Sequence, residues 1–304
     1  MRVAAIDCGT NSVRLLVADV YPDGFRDRTR QMEIVRLGEG VDRTGHLSDA
    51  ALDRTRTVLV RYGDELRALG AGRVRMVATS ATRDADNAAD FRAMVRATIG
   101  VDPEVVSGDE EATLSFTGAV RGLPADASPP YLVVDIGGGS TEFVRGTSTV
   151  DAAVSVDIGC VRMTERHLRH DPPRPDEIAA AEKDITATVD SALSTVDGAM
   201  AGTLVGLAGS VTTVAAIALR LDRYDPARTH HARVPYARVA DVTADLLAAS
   251  TAQRRAIPVM HPGRADVIAA GALILRTVMA RLGADAVVAS EHDILDGIAL
   301  SIAG

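Results

Sequence analysis

The sequence predicts an α/β protein of two related domains that face each other across a cleft, and three observations carry that expectation. Val133 to Val144 reads as a strand, a tight loop of successive glycines (Gly137, Gly138, Gly139) and a second strand, with Asp135 and Glu142 at the loop's two edges. Ala5 to Val17 repeats the layout as an apolar run, Asp7, the polar loop Gly9-Thr10-Asn11-Ser12 and another apolar run, so each half carries Asp-x-Gly-x-x-Ser. Between the halves, Gly122 to Pro130 is rich in proline and small polar residues and is the clearest linker. We therefore expect domains over 1–124 and 125–304, with a last helix at 292–304 able to return onto the first.

A single glycine cluster between two strands is ordinarily a hairpin turn. Two matching clusters imply related domains, and a cleft between such domains is a usual place for a small polar ligand. Glycines leave backbone N–H groups unshielded, so a loop of this kind can close on an anion. The flanking carboxylates repel phosphate unless a cation lies between, which points to phosphate together with a divalent ion.

Composition bounds the rest. At 304 residues, 47% of them hydrophobic, the chain has material for two cores. No window is long and apolar enough for a membrane span, and the N-terminus opens directly on a strand with no secretory leader, so a cytoplasmic protein without membrane contact is expected. The two cysteines, Cys8 and Cys160, read as small buried residues. A formal net charge of −8 and the absence of tryptophan argue against a nucleic-acid partner.

Taken in order, Val13 to Val20 reads as a strand, Pro22-Asp23-Gly24 as a turn and Glu33 to Leu37 as a third strand. Ser48 can cap a helix whose Leu52, Leu59, Tyr62, Leu66 and Leu69 recur at helical spacing up to Gly70. Val74 to Thr79 is a strand, and Arg83 follows where the strand gives way to a helix, the end at which ligands of open α/β sheets collect. A guanidinium there can fork onto phosphate oxygens or lie on the surface, and spacing leaves both open. Glu104 to Val106 leads to Asp109-Glu110-Glu111 in the first turn of another helix, where acids suit the positive end of the dipole. A carboxylate of that run could also serve as a base, and the residues alone do not choose which.

The second half repeats the order, each domain expected to hold a five-stranded mixed sheet. Gly159 opens a helix, a long helix follows the proline-rich turn at 171–175, and Leu204 to Ala208 is a buried strand. Gly209-Ser210 then turns straight into a helix, a third corner whose N–H groups could meet a ligand. An apolar helix is expected from Arg264, a strand at 286–289 and a final helix from His292. None of the seven histidines has a metal-binding spacing, and His230 and His231, neighbours in a loop, are expected to point apart.

These residues resemble the exopolyphosphatase and guanosine pentaphosphate phosphatase family, within the actin-like ATPase and sugar-kinase superfamily of paired ribonuclease-H-like domains. The blocks that carry the resemblance are Ile6 to Ser12, Ala78 to Arg83, Ser107 to Ala112, Asp135 to Glu142, Gly209 to Thr213 and Arg264 to Ile268, spread through nearly the whole chain. Cys8, Thr10 and Ser210 depart mildly from the usual residues. The chain looks like the family's short form, lacking the added helical region of longer members.

The resemblance implies Glu111 as the base that activates water and Arg83 in the phosphate pocket. It implies Mg²⁺, with Mn²⁺ as substitute, near Asp135 and Glu142, and Asp7 facing them across the cleft. Gly9, Thr10, Asn11 and Ser12, with Gly137, Gly138, Gly139, Ser140 and Thr141 and the corner Gly209-Ser210, would bind successive phosphates. A cytoplasmic homodimer that shortens inorganic polyphosphate is the implied whole. Guanosine pentaphosphate hydrolysis to the tetraphosphate is the nearest rival, and a non-catalytic polyphosphate or nucleotide sensor is the rival from another class.

Overall fold

The structure, a computed structural model, describes residues 1–21 and 24–303. Pro22 and Asp23, read as a turn, lie outside the described residues. The chain forms two compact units: Met1–Gly118 with the chain from Ile294 onward, and Ala119–Asp293. The division falls within the helix Gly108–Val120 rather than at the proline-rich stretch, and the last helix, expected to be able to return onto the first domain, is grouped with the first unit.

The first unit holds β1 (Arg2–Cys8), β2 (Ser12–Tyr21), β3 (Gly24–Ile34), β4 (Arg73–Ala78) and β5 (Glu104–Val105) in the order β3-β2-β1-β4-β5. The β1–β2 and β2–β3 ladders are antiparallel, β1–β4 and β4–β5 parallel. β3 starts nine residues before the expected Glu33. Its arginine-rich run lacks the alternation of a half-buried strand, because β3 is the sheet's edge and both its faces meet solvent. Val35 and Leu37, the apolar residues that suggested a strand, are buried just beyond it.

Central β1 is buried on both faces, so its sequence is a continuous apolar run. Ala4, Ile6 and Cys8 pack with the helices Asp49–Leu69 and Ala88–Ile99. Val3 and Ala5 point the other way, with Leu16 and Ala18, and meet Leu114 and the last helix, Ile294–Ala303. Without that helix this face would lie open; Ile294, Leu295 and Ile298 each contribute about 2 kcal/mol by burial. Arg30 fastens it further, with Nη2 at 2.6 Å and Nη1 at 3.1 Å from the buried Asp296 carboxylate. Ser48 caps the long helix by accepting from the Ala51 N–H at 3.2 Å, and Gly70 closes it in the left-handed region.

The second unit holds β6 (Tyr131–Ile136), β7 (Thr141–Gly146), β8 (Val150–Val156), β9 (Thr203–Leu207), β10 (Arg233–Pro235) and β11 (Ala286–Ala289). Read as β8-β7-β6-β9-β11, the order and the strand directions repeat those of the first unit. β10 adds a sixth strand at the edge, antiparallel to β11, where five were expected. Its Arg-Val-Pro sequence carries no strand signal of its own. The helices Cys160–His167, Pro175–Thr195, Tyr236–Ala248 and Ile268–Leu282 bury Leu132, Val134, Ile136 and Phe143. The last of these starts at Ile268 rather than Arg264, after a single 3₁₀ turn at Pro262–Arg264.

One further expectation fails. The His230 and His231 rings stack, with centroids 3.6 Å apart, and His292 lies 4.4 Å from His230. His231 has φ +62°, and this left-handed backbone brings consecutive side chains to one side instead of opposite sides.

Candidate active site

In the second unit the glycine loop between β6 and β7 is gripped by its carbonyls. The first N–H groups of the helix Cys160–His167 do this: Cys160 donates to the Gly137 oxygen at 2.9 Å, and Val161 and Arg162 to that of Gly138 at 2.9 and 3.1 Å. The Arg162 side chain adds a bond from Nε to the Gly139 oxygen at 2.7 Å. In a planar trans peptide the N–H points opposite to the C=O. The N–H groups of Gly138, Gly139 and Ser140 are therefore aimed away from the helix, as a concave donor surface of the kind that receives anions. Gly159 makes the grip possible, because a Cβ there would lie 2.4 Å from the Gly138 carbonyl.

The first unit builds its loop in the same way with a different clamp. Gly38 donates to the Thr10 oxygen at 2.8 Å, and Val35 and Arg36 donate to that of Asn11 at 3.0 and 2.9 Å, so the Asn11 N–H faces away from this segment. Gly9 N–H closes the turn on the Ser12 oxygen at 2.9 Å. Gly38 is the counterpart of Gly159: each follows the third strand of its sheet, and a Cβ on Gly38 would lie 2.4 Å from Thr10 Cγ2.

The carboxylates beside the loops differ in company. Asp7 pairs across β1–β2 with Arg14, and Asp135 pairs across β6–β7 with Glu142, each acid seven residues before its partner. Directly opposed residues share a sheet face. Arg14 donates to Asp7 Oδ2 from Nη2 at 2.6 Å and from Nε at 2.9 Å. At the equivalent place the second unit sets two buried carboxylates side by side, and buried like charges call for a cation. Asp135 and Glu142 thus fit a divalent ion. No cluster of three or more acidic, histidine or cysteine ligands occurs among the described residues.

Arg83 and Glu111 come together in the first unit. Arg83 ends the short helix Ser80–Arg83, and Glu111 lies in the first turn of Gly108–Val120. Arg83 Nη1 donates to Glu111 Oε2 at 3.1 Å and to the Val106 carbonyl at 2.9 Å. Of the three acids in that turn, Asp109 is exposed and Glu110 pairs with Arg75 at 2.6 Å; Glu111 alone is buried.

Some candidate side chains turn inward. Thr141, expected to bind phosphate, is fully buried in β7 and donates to the Ile158 carbonyl at 2.5 Å. Ser140 Oγ spends its proton on Glu142 Oε1, and Thr10 Oγ1 shares a hydrogen bond with Ser80 Oγ. At the third corner Ser210 packs its hydroxyl on Gly271, where a Cβ would come within 2.3 Å, and bonds the Cys160 thiol, which burial pushes up. Ser210 is interior, then, while Gly209 admits the guanidinium of Arg264, 2.0 Å from where a Cβ would stand. Arg14, Arg162, Gly38 and Ser155, which donates to Glu142, were not legible as site residues. The signal available for Arg14 was its place seven residues after Asp7, matching Glu142 after Asp135.

Residues 16–304 match the Ppx/GppA phosphatase family. The chain is 49% identical over 316 residues to Exopolyphosphatase 2 of Mycobacterium tuberculosis, covering 100% of this chain and 99% of that one. Among solved structures, an exopolyphosphatase-like protein superposes with a TM-score of 0.96 at 40% identity, over 99% of this chain and 97% of the other. The PPX-GPPA enzyme of Aquifex aeolicus gives 0.82 at 30% identity, over 99% of both chains.

Proposed function

The chain belongs to the Ppx/GppA phosphatase family, and from that premise we propose that it is an exopolyphosphatase, releasing orthophosphate from the end of inorganic polyphosphate by hydrolysis. The observation that carries this reading is the buried Glu111 carboxylate held at 3.1 Å by Arg83.

Phosphoryl transfer to water needs an aligned nucleophile and compensation of charge on the phosphoryl oxygens more than covalent help from the protein. The oxygen of water bonds to the terminal phosphorus, the bridging P–O bond breaks, and the bridging oxygen leaves with the shortened chain. Glu111 takes the proton of the attacking water. Arg83 offers its fork of donors to the terminal phosphoryl oxygens. The N–H groups of Asn11 and of Gly138, Gly139 and Ser140 bind phosphate oxygens without bringing any charge that must be neutralised. Asp135 and Glu142 would hold Mg²⁺, with Mn²⁺ as substitute, and the ion when bound offsets charge on the phosphate oxygens.

The family reading also carries a cytoplasmic homodimer. No helix among the described residues is long and apolar enough to cross a membrane. Orthophosphate release from polyphosphates of graded length, with guanosine pentaphosphate alongside, tests the proposal. Release from polyphosphate is the expected result. Release from the nucleotide alone, or polyphosphate binding with no release in the presence of Mg²⁺ or Mn²⁺, overturns it.

A further inference from the structure

We propose that Ser155 is a positioning residue that fixes the Glu142 carboxylate, an inference that rests on the reading of Glu142 as a cation-holding group. Ser155 stands directly across the β7–β8 ladder from Glu142, so both side chains leave the same face of the sheet. Ser155 Oγ and Ser140 Oγ each donate to Glu142 Oε1 at 2.7 Å. A serine hydroxyl has one proton, and both serines spend it on this oxygen.

The two donors come from different places. Ser140 belongs to the glycine loop, whereas Ser155 is set in a regular strand between Val154 and Val156, at a position where a strand favours an apolar or β-branched residue. A polar residue there that bonds a carboxylate 1% exposed holds that carboxylate to the sheet as well as to the loop. Groups that orient a metal-binding side chain in this way commonly change metal affinity by about 10- to 100-fold when removed.

The test compares Ser155→Ala, Ser155→Thr and Glu142→Gln in the full chain. Mn²⁺ affinity is read by the paramagnetic resonance of free Mn²⁺, kcat and KM from orthophosphate release, and folding from the thermal midpoint. Ser155→Ala is expected to weaken Mn²⁺ binding about tenfold and to lower kcat with little change in KM or midpoint. Ser155→Thr, which keeps the hydroxyl on a strand-compatible side chain, restores both. Unchanged Mn²⁺ affinity in Ser155→Ala, or a loss that Ser155→Thr shares, overturns the inference. Glu142→Gln separates it from its premise: if that variant binds Mn²⁺ and turns over normally, or if the unaltered protein takes up no Mn²⁺, the reading of Glu142 fails. If Glu142→Gln loses both while Ser155→Ala loses neither, only the role of Ser155 fails.

Discussion

Arg83 and Glu111 share one bond at 3.1 Å, and the same guanidinium nitrogen holds the Val106 carbonyl just ahead of the helix that carries Glu111. The arginine thus ties the end of one element to the start of another, and its position is fixed before any ligand arrives. Fixed charges contribute to catalysis because they need no reorganisation as the reaction proceeds. The two proposed roles, proton acceptance by Glu111 and anion binding by Arg83, can be resolved by mutation.

Glu111→Gln keeps the shape of the side chain and an oxygen for Arg83, but removes the capacity to take a proton. Orthophosphate release from polyphosphate is expected to fall about 100- to 10,000-fold, while polyphosphate binding, measured by equilibrium titration, is retained. Undiminished release removes Glu111 from the mechanism.

The loops, the capped helix at Ser48 and the duplication were legible because each is local: glycine clusters, a hydroxyl before an apolar period, and a spacing that recurs. The carbonyl clamp behind each loop was not, since Gly38 and Gly159 act through backbone that arrives from the far side of the sheet. The inward turn of Ser140, Thr141 and Ser210 was also hidden, because a hydroxyl's partner is set by tertiary packing and its residue type reads the same either way. Of the three acids at 109–111, burial selects Glu111, and burial of one residue in a helix's first turn depends on what packs over it.

Arg14 beside the buried Asp7 makes a second prediction, about folding. Removing one member of such a pair strands the other charge, so Arg14→Met is expected to cost about 3 kcal/mol. The double variant Asp7→Asn with Arg14→Met leaves no stranded charge and regains much of that loss. Urea unfolding midpoints of the three proteins check this; equal losses in the single and double variants would show that packing of the arginine stem, rather than charge, dominates.

The clamp behind the second loop predicts a strong response at one glycine. A methyl group on residue 159 meets the Gly138 carbonyl at 2.4 Å and the Gly139 carbonyl carbon at 2.6 Å, and backbone cannot step aside as a side-chain tip can. Gly159→Ala is therefore expected to cost about 1–3 kcal/mol and to raise KM for polyphosphate as the loop amides shift. Gly72→Ala, where a Cβ meets nothing within 4 Å, is the matched control and should stay within about 0.5 kcal/mol of the unaltered protein.

His231 is expected to make the fold sensitive to acid. Burial pushes His231 below its ordinary value of 6.5, and His292 adds to the shift. Its Nε2 is buried with no hydrogen-bond partner among the described residues, and the His230 ring lies against it. A base whose folded value is depressed binds more protons when unfolded, so its contribution is fully present above pH 6.5 and is lost as pH falls toward the folded value. The thermal midpoint should drop on acidification from about pH 7.5 to about 5.5. Asparagine accepts the left-handed backbone found at position 231 and carries no titrating group. His231→Asn is thus expected to flatten that drop; an unaltered slope would assign the acid sensitivity to other groups.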